Sequence, residues 1–208
     1  MATPGFAQQV DPAAYAKAQQ LMSVMGVDKS IAGVTDDQAK VDSSTLFLKI
    51  KILEANPGQE AKVTQVVNAA YRASMTPLLP EYLNYVTGLY ASAFTPQELD
   101  QMAAFMQTPA MQHMRAAAVS GQDPPQADMD AINAYNVTPL GQKMTKVLPD
   151  ITQKMNVYTV DVLRVKGREQ IYAELREDLP RAGLNVPNPF QPDTFIDQKL
   201  HDNAMGAQ

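Results

Sequence analysis

Residues 95–114 read TPQELDQMAAFMQTPAMQHM, and residues 125–144 read PQADMDAINAYNVTPLGQKM. When the two stretches are aligned at an offset of 30 residues, six of twenty positions are identical and four more carry close substitutions. The identical pairs are Asp100/Asp130, Ala104/Ala134, Thr108/Thr138, Pro109/Pro139, Gln112/Gln142 and Met114/Met144. Each stretch has helical periodicity on both sides of a Thr-Pro pair. We therefore predict two copies of one helix–break–helix unit, over about 95–122 and 123–155.

Capping residues mark where these helices begin. Thr95 and Glu98 have the spacing of a capping box, in which each side chain satisfies a backbone N–H of the other residue. Thr108 with Pro109 ends one helix and caps the next, and residues 123–126, DPPQ, are expected to supply the cap of the second unit. One unit cannot bury its apolar face alone, so we expect the copies to pack on each other. The alternative is that two capped helices resemble each other by convergence.

Helical patterns continue towards the N-terminus. Asp11 is the predicted N-cap of the first helix, and Gly26 is its predicted end. Residues 46–53, LFLKIKIL, are ambiguous, because their apolar residues alternate as in a strand but also fit one helix face. We choose a helix, because the sequence offers no second strand to pair with this one.

The last long pattern covers residues 150–179, where apolar residues recur at spacings of four and three. It predicts one long amphipathic helix with Gly167 as a weak point. Residues 180–208 contain four prolines and predict an irregular tail, in which residues 193–201 have the pattern of a short helix.

These patterns together predict an all-α protein with one helical, bundle-like domain. The domain covers residues 11–179 and contains the internal helix–break–helix repeat. Residues 1–10 are small and polar and predict a disordered N-terminal remnant, while residues 180–208 form the Pro-rich C-terminal tail.

The composition excludes several kinds of chemistry. The 208 residues include no Cys, which excludes thiolate metal sites, iron–sulfur clusters, disulfides and thiol catalysis. The chain has two His and no paired-carboxylate, phosphate-loop or nucleophile motif, so we predict no enzyme and no cofactor. The net charge of −5 argues against a nucleic-acid partner. No apolar run approaches the roughly 20 residues of a membrane span.

Residues 90–99, YASAFTPQEL, followed by Phe105 and by a Thr-Pro pair, resemble the bacterial family known as domain of unknown function 2059. The pattern of that family has Phe-Thr, Glu-Leu, Phe-Tyr and then Ser-Pro-x-Gly-x-Lys. In the first copy Met106 replaces the Tyr, Met111 the Gly and His113 the Lys. Residues 138–143, TPLGQK, are closer to the end of the family pattern.

The resemblance covers about sixty residues and implies an all-helical, usually exported bacterial protein without an assigned activity. Residues 5–8, GFAQ, also look like the end of a signal-peptide cleavage region. We therefore predict a periplasmic or secreted protein whose signal peptide has been removed. A cytoplasmic protein with a disordered N-terminus is the alternative.

Two groups of side chains are candidates for binding. Five aromatic residues are the candidate apolar ligand or interaction face: Tyr71, Tyr90, Phe94, Phe105 and Tyr135. Cavities between bundle helices often take apolar ligands, and core packing is the alternative for these residues. Thioether and imidazole groups suited to Cu(I) also cluster in the sequence: Met102, Met106, Met111, His113 and Met114. Their spacing across a Thr-Pro break is poor for one site and methionine is an ordinary core residue, so we predict no metal site.

We therefore predict a non-enzymatic cell-envelope protein that acts through protein–protein interaction with an unknown partner. The predicted helix over residues 150–179 offers a seam for a homodimer. The alternative function is a carrier or sensor of a small hydrophobic ligand bound between helices. An enzyme is the third hypothesis.

Overall fold

The computed structural model describes residues 10–191, and within this range the chain is all-α, as predicted. The range contains ten α-helices, one π-helical segment and no β-strand. The helices are α1 (Pro12–Met25), α2 (Val27–Asp36), α3 (Gln38–Glu54), α4 (Glu60–Met75), α5 (Leu78–Ala93), α6 (Pro96–Met106), α7 (Pro109–Ser120), α8 (Gln126–Asn136), α9 (Pro139–Tyr158) and α10 (Gly167–Arg181). The predicted remnant, except residue 10, and the helical pattern at 193–201 lie outside the described residues.

Several predicted helix ends are confirmed in atomic detail. The Oδ1 atom of Asp11 accepts a hydrogen bond from the backbone N–H of Ala13 at 2.9 Å. Helix α1 ends at Gly26, whose φ of 72° lies in the left-handed region that glycine adopts without strain. In the capping box, the N–H of Glu98 donates to Thr95 Oγ1 at 3.2 Å, and the N–H of Thr95 donates to Glu98 Oε2 at 2.8 Å.

The ambiguous residues 46–53 lie within α3, which confirms the choice of helix. Asp37 caps this helix by accepting from the backbone N–H of Ala39 at 2.9 Å. The sequence did not predict α2, which precedes α3 with a single residue between them. The cap expected within residues 123–126 falls at Pro125, where α8 begins without a side-chain cap hydrogen bond.

Residues 150–179 are helical throughout, as predicted, but they do not form one uniform α-helix. Helix α9 begins earlier, passes through Pro149 and ends at Tyr158, after which Thr159–Lys166 is π-helical. Gly167 then begins α10, and a Cβ at this position would lie 2.9 Å from Met75 Sδ. The predicted weak point is therefore the residue at which the helical geometry changes and a neighbouring side chain comes close.

The described residues group into two compact units, whereas the sequence predicts one domain over residues 11–179. Of residues 10–191, the first unit comprises 10–28 and 83–154, and the second comprises 29–82 and 155–191. Periodicity in the sequence identifies the apolar face of each helix but not the face that covers it. The division into units depends on those pairings.

In the first unit, α1 packs on α6 and α7 packs on α8. Leu21 and Met22 of α1 are fully buried, as are Leu99 and Met102 of α6. Two alanines of α1 are also buried and allow a close approach of the two helices. An ion pair at the edge of the packed face joins Lys17 Nζ to Asp100 Oδ1 at 2.8 Å.

In the second unit, α4 packs on both α3 and α10 around one apolar core. The fully buried members of this core are Val41, Ile52, Val63, Val67, Leu175 and Leu179. The apolar stripe of α10 is therefore used for packing within the chain, and a homodimer seam over residues 150–179 stays a prediction.

The described residues after α10 follow the surface of the second unit. The side chain of Asn56 donates to the carbonyl oxygen of Asn185 at 2.8 Å and accepts from the N–H of Asn185 at 2.7 Å. Phe190 is buried against the ring of Tyr172, with 4.6 Å between centroids, and Lys51 Nζ lies 5.9 Å from the Phe190 ring centroid. These contacts hold the segment beside the second half of α3.

Candidate functional site

The five aromatic residues predicted as a binding face do not all share one unit. Tyr71 lies in the second unit and is buried in its core. Tyr90, Phe94, Phe105 and Tyr135 lie in the first unit, where they form two ring pairs. The structure therefore places four of the five residues in two ring pairs of the first unit. It places Tyr71 in the core of the second unit.

The first pair is a parallel stack of Phe105 on Tyr135, with ring centroids 3.6 Å apart and planes inclined by 3°. The hydroxyl of Tyr135 also lies 3.5 Å from Met144 Sδ, and burial raises the pKa of this phenol. The two rings are in direct contact, so each ring covers the face that an apolar ligand would need. Packing is the better explanation for this pair.

The second pair lies beside an ion pair. The Tyr90 and Phe94 ring centroids are 6.2 Å apart, and Lys143 Nζ lies 5.1 Å from the Phe94 centroid. The same ammonium group donates to Glu98 Oε2 at 2.7 Å. This hydrogen bond is the main reason that the pKa of Glu98 lies below its ordinary value, with further contributions from the Thr95 cap and opposed by desolvation.

A second polar pair follows the same pattern. His113 Nδ1 lies within hydrogen-bond distance of Asp128 Oδ2, at 2.8 Å. The 30-residue offset makes Asp128 equivalent to Glu98 and His113 equivalent to Lys143. Each polar pair thus joins one residue of each predicted copy, and the stacked rings are equivalent to each other. We call these six residues the junction cluster: Glu98, Phe105, His113, Asp128, Tyr135 and Lys143.

The two Thr-Pro breaks have the same hydrogen bonds. The hydroxyl of Thr108 donates to the carbonyl oxygen of Phe105 at 2.7 Å, and that of Thr138 donates to Tyr135 at 2.6 Å. Each Thr Oγ1 also accepts from the N–H three residues later, at 3.4 Å for Thr108 and 3.1 Å for Thr138. The second break is the tighter, because a Cβ at Gly141 would lie 2.3 Å from the Tyr135 carbonyl oxygen.

The residues considered for copper have packing and ion-pair roles. Met102 is fully buried in α6, and His113 is engaged with Asp128. The Thr108 break separates Met102 from the α7 methionines at 111 and 114. Among residues 10–191, no group of three or more acidic or His side chains is arranged to hold a metal ion. Binding of Cu(I) by the thioethers stays untested.

A polar network that the sequence did not predict joins α3 to α4 in the second unit. Lys49 is largely buried, and its Nζ donates to Asp42 Oδ1 at 2.6 Å. Asn68 Nδ2 donates to the same oxygen at 2.8 Å, and Thr45 Oγ1 lies 3.0 Å from Asn68 Oδ1. Hydrogen bonds from Lys49, then Gln38 and Asn68, hold the pKa of Asp42 well below its usual range. The network is satisfied internally, so it fixes the pairing of α3 with α4.

The largest exposed aromatic side chain among the described residues lies on α3. Phe47 is 85% exposed, and its neighbours Leu46 and Ile50 are 51% and 48% exposed. The buried residues of this helix are Val41, Thr45, Lys49 and Ile52. At about 100° per residue these four lie on the opposite side of the helix from Phe47. We call Leu46, Phe47 and Ile50 the α3 outer face.

A signal for the α3 outer face was present in the sequence. Residues 46–53 are so rich in apolar side chains that no single helix face can contain all of them. This same feature made the segment ambiguous between helix and strand. Apolar residues on both sides of a helix indicate a second contact surface when only one side meets the core.

Comparisons with protein-family models, with curated protein sequences and with solved structures find no match for this chain. The resemblance of residues 90–99 and 138–143 to domain of unknown function 2059 therefore stays a prediction. Within residues 10–191, the length and apolar content of every helix fall short of what a membrane crossing requires. The fold and the residues described above are the basis for a functional hypothesis.

Proposed function

We propose that this protein is a non-enzymatic binding protein that acts through protein–protein interaction, with the α3 outer face as its docking surface. The observation that carries the proposal is Phe47, a large aromatic side chain that is 85% exposed between two half-exposed aliphatic residues. Leaving such a group of side chains in water is unfavourable, and clustered exposed apolar residues typically mark interaction sites.

The shape of this surface favours a protein partner over a small ligand. Small apolar ligands bind in concave sites that cover most of their surface. The outer side of a helix is convex, so its side chains are buried only against another extended surface, such as a groove or a second helix. In protein interfaces, a central aromatic residue surrounded by polar residues often contributes a large share of the binding energy.

The cell-envelope location is part of the same proposal and rests on the family resemblance. Fusion of the chain to a signal peptide and fractionation of the bacterial host tests whether the exported protein is stable in the periplasm. Accumulation of folded protein in the periplasmic fraction is expected. Rapid degradation there, with stable protein in the cytoplasm, would argue against the envelope location.

We also infer that the helix pairs α6–α7 and α8–α9 are two copies of one unit. Support comes from the junction cluster, in which the two stacked rings are equivalent at the 30-residue offset and each polar pair joins one residue of each copy. The matching hydrogen bonds at Thr108 and Thr138 point the same way. In this interpretation the junction cluster holds the copies together and leaves docking to the second unit.

Photo-crosslinking tests the docking surface. A benzophenone amino acid replaces Phe47 in one variant and Val119 in the control, because Val119 is 90% exposed but lies on another helix. We expect ultraviolet light to give adducts of higher mass in living bacteria for position 47 and none for position 119. Equal adduct formation at both positions, or none at position 47, would count against the proposal.

The alternative of a small hydrophobic ligand makes a different prediction. Native mass spectrometry of the freshly purified protein would then detect a bound mass that organic solvent removes. The docking proposal expects the mass of the polypeptide alone, or multiples of it. The direct stacking of Phe105 on Tyr135 supports packing for the residues that suggested this alternative.

A further inference from the structure

We propose that the α3 outer face binds a second copy of this chain, with the two α3 helices antiparallel and a two-fold axis beside Phe47. This inference rests on the proposed function, since it names the partner of the same surface. It is carried by a symmetry in the arrangement of charged and apolar residues along α3.

The geometry of the helix places three residues in one line. Lys40 lies seven residues before Phe47, and Glu54 lies seven residues after it. Seven residues are two turns to within about 20°, so all three side chains lie on the exposed side, about 10.5 Å apart along the axis. The line is thus a cation, an aromatic ring and an anion at equal spacing.

That order is complementary to itself only when the second helix is antiparallel. A two-fold axis beside Phe47 brings each Lys40 opposite the Glu54 of the other copy and each Phe47 opposite its equivalent. A parallel pair would instead place like charges together. Lys40 and Glu54 are both exposed, and the contact of Lys40 with Asp37 is long, at 4.0 Å between half-exposed side chains.

The residues between these positions complete the contact. In the antiparallel arrangement Ile50 of one copy lies on the same side of the contact as Ser43 of the other, so a large side chain faces a small one. Leu46 extends the apolar centre on this side, and Ser44 adds a small polar residue to the exposed stripe on the other side. An apolar centre inside a charged and polar rim is the usual structure of a protein interface.

The size of the surface predicts a weak dimer. One pair of helices of this length buries less area than the roughly 1,200 Å² of a stable specific interface, so we expect dissociation between about 1 μM and 1 mM. Two other occupants are to be tested for this face. One is residues 192–208, which follow the segment held beside α3, and the other is a different protein. The experiment below distinguishes them.

Sedimentation velocity of the full chain over this concentration range, with charge-swapped variants, tests the inference. We expect the wild type to dimerise and Lys40→Glu or Glu54→Lys alone to weaken dimerisation about tenfold, because each single swap opposes like charges twice. The double variant Lys40→Glu/Glu54→Lys restores the wild-type affinity to within about twofold. Phe47→Ser abolishes the dimer, and the matched control Val119→Ser leaves it unchanged.

Several results would overturn the inference. The inference fails if the wild type stays monomeric to about 1 mM or if Phe47→Ser still dimerises. It also fails if the double variant dimerises as weakly as the single variants. Dimerisation only after removal of residues 192–208 would assign the face to that segment. If the inference fails but position 47 still crosslinks to another protein, the proposed function stands, so the two failures are distinguishable. Circular dichroism of each variant excludes unfolding as the cause.

Discussion

At the scale of single residues, the Thr138-Pro139 break between α8 and α9 explains why position 141 is a glycine. The first turn of α9 passes so close to the end of α8 that a Cβ at Gly141 would lie 2.3 Å from the Tyr135 carbonyl oxygen and 2.7 Å from the Asn136 Cα. These are backbone atoms, so relief requires movement of a helix. At the other Thr-Pro break, the residue at the same distance from the threonine is Met111, whose N–H donates to Thr108 Oγ1 over a longer distance, 3.4 Å.

The substitution Gly141→Ala is therefore expected to destabilise the protein, in spite of the better helix propensity of alanine. Overpacking of this kind costs roughly 1–3 kcal/mol in the free energy of unfolding. The matched control is Gly88→Ala in α5, where a Cβ meets no atom within 4 Å and the propensity gain of up to about 1 kcal/mol should appear. Urea unfolding measures both, and a Gly141→Ala variant as stable as Gly88→Ala would contradict the packing described.

The Glu98–Lys143 pair makes stability depend on pH. The pKa of Glu98 is lower in the folded protein than its ordinary value of 4.5, chiefly through the hydrogen bond from Lys143. The stabilisation is therefore complete above pH 4.5 and is lost as the pH falls through the folded pKa. The partial exposure of both side chains limits the effect to less than about 1 kcal/mol.

The variant Glu98→Gln isolates the charge, because glutamine can still accept the hydrogen bond from the Thr95 N–H in the capping box. We expect Glu98→Gln to be slightly less stable than the wild type at pH 7, with the difference shrinking towards pH 3. Thermal unfolding at several pH values measures this. A difference that stays constant from pH 7 to pH 3 would show that the ion pair contributes nothing.

At the scale of the elements, helix α3 has a buried inner face and an exposed outer face. The inner face needs a charge partner for a buried lysine. Its inner face carries Lys49, whose side chain is only 10% exposed, and this ammonium depends on Asp42 for its charge partner. The Asp42 side chain is 45% exposed and remains hydrated without Lys49. Removing the carboxylate therefore strands a buried cation, whereas removing the cation leaves a solvated anion.

This asymmetry predicts that Asp42→Asn lowers the melting temperature more than Lys49→Met does. Methionine retains most of the buried apolar stem of the lysine, so the second variant loses charge with little loss of packing. Differential scanning calorimetry at pH 7 compares the two. The opposite order would mean that Lys49 is stabilised by other groups and that Asp42 does not fix the pairing of α3 with α4.

The elements differ in how well the sequence predicts them. Asp11, Gly26 and the Thr95–Glu98 capping box could be located because a helix end is satisfied by residues within one turn of it. The π-helical segment Thr159–Lys166 could not, since its residues have ordinary helical periodicity and the change in hydrogen bonding depends on packing around it. Helix α2 was missed because Gly33 and its short length weaken the pattern.

At the scale of the whole molecule, the prediction of one domain and the observed two units differ for the same physical reason. Whether α10 lies on α4 or provides a dimer seam depends on the partner of its apolar stripe, and the stripe itself looks the same in both cases. The same reason applies to the candidate site, because the sequence shows an apolar side chain but not its partner. The contacts that the structure shows for Tyr71, Tyr90, Phe94, Phe105 and Tyr135 are with the chain itself, and their role as a ligand or interaction face stays a prediction.

The α3 outer face could have been proposed from residues 46–53 if their surplus of apolar side chains had been interpreted as two faces of one helix. The sequence could not show that Phe47 faces solvent, because only the packing of Thr45 and Ile52 determines which side of α3 is covered. The Lys40–Phe47–Glu54 line becomes meaningful only once that side is known.

Cysteine crosslinking tests the central claim, antiparallel self-association through α3, most directly, because the chain has no Cys and each introduced thiol is unique. Position 40 of one copy lies about 21 Å along the axis from position 40 of the other, too far for a disulfide, but opposite position 54. Mild oxidation should crosslink an equimolar mixture of Lys40→Cys with Glu54→Cys, in which both copies keep Phe47. Lys40→Cys alone, Glu54→Cys alone and the control Val119→Cys should stay monomeric. A mixture that does not crosslink, or Lys40→Cys crosslinking to itself as efficiently as the mixture, would contradict the account.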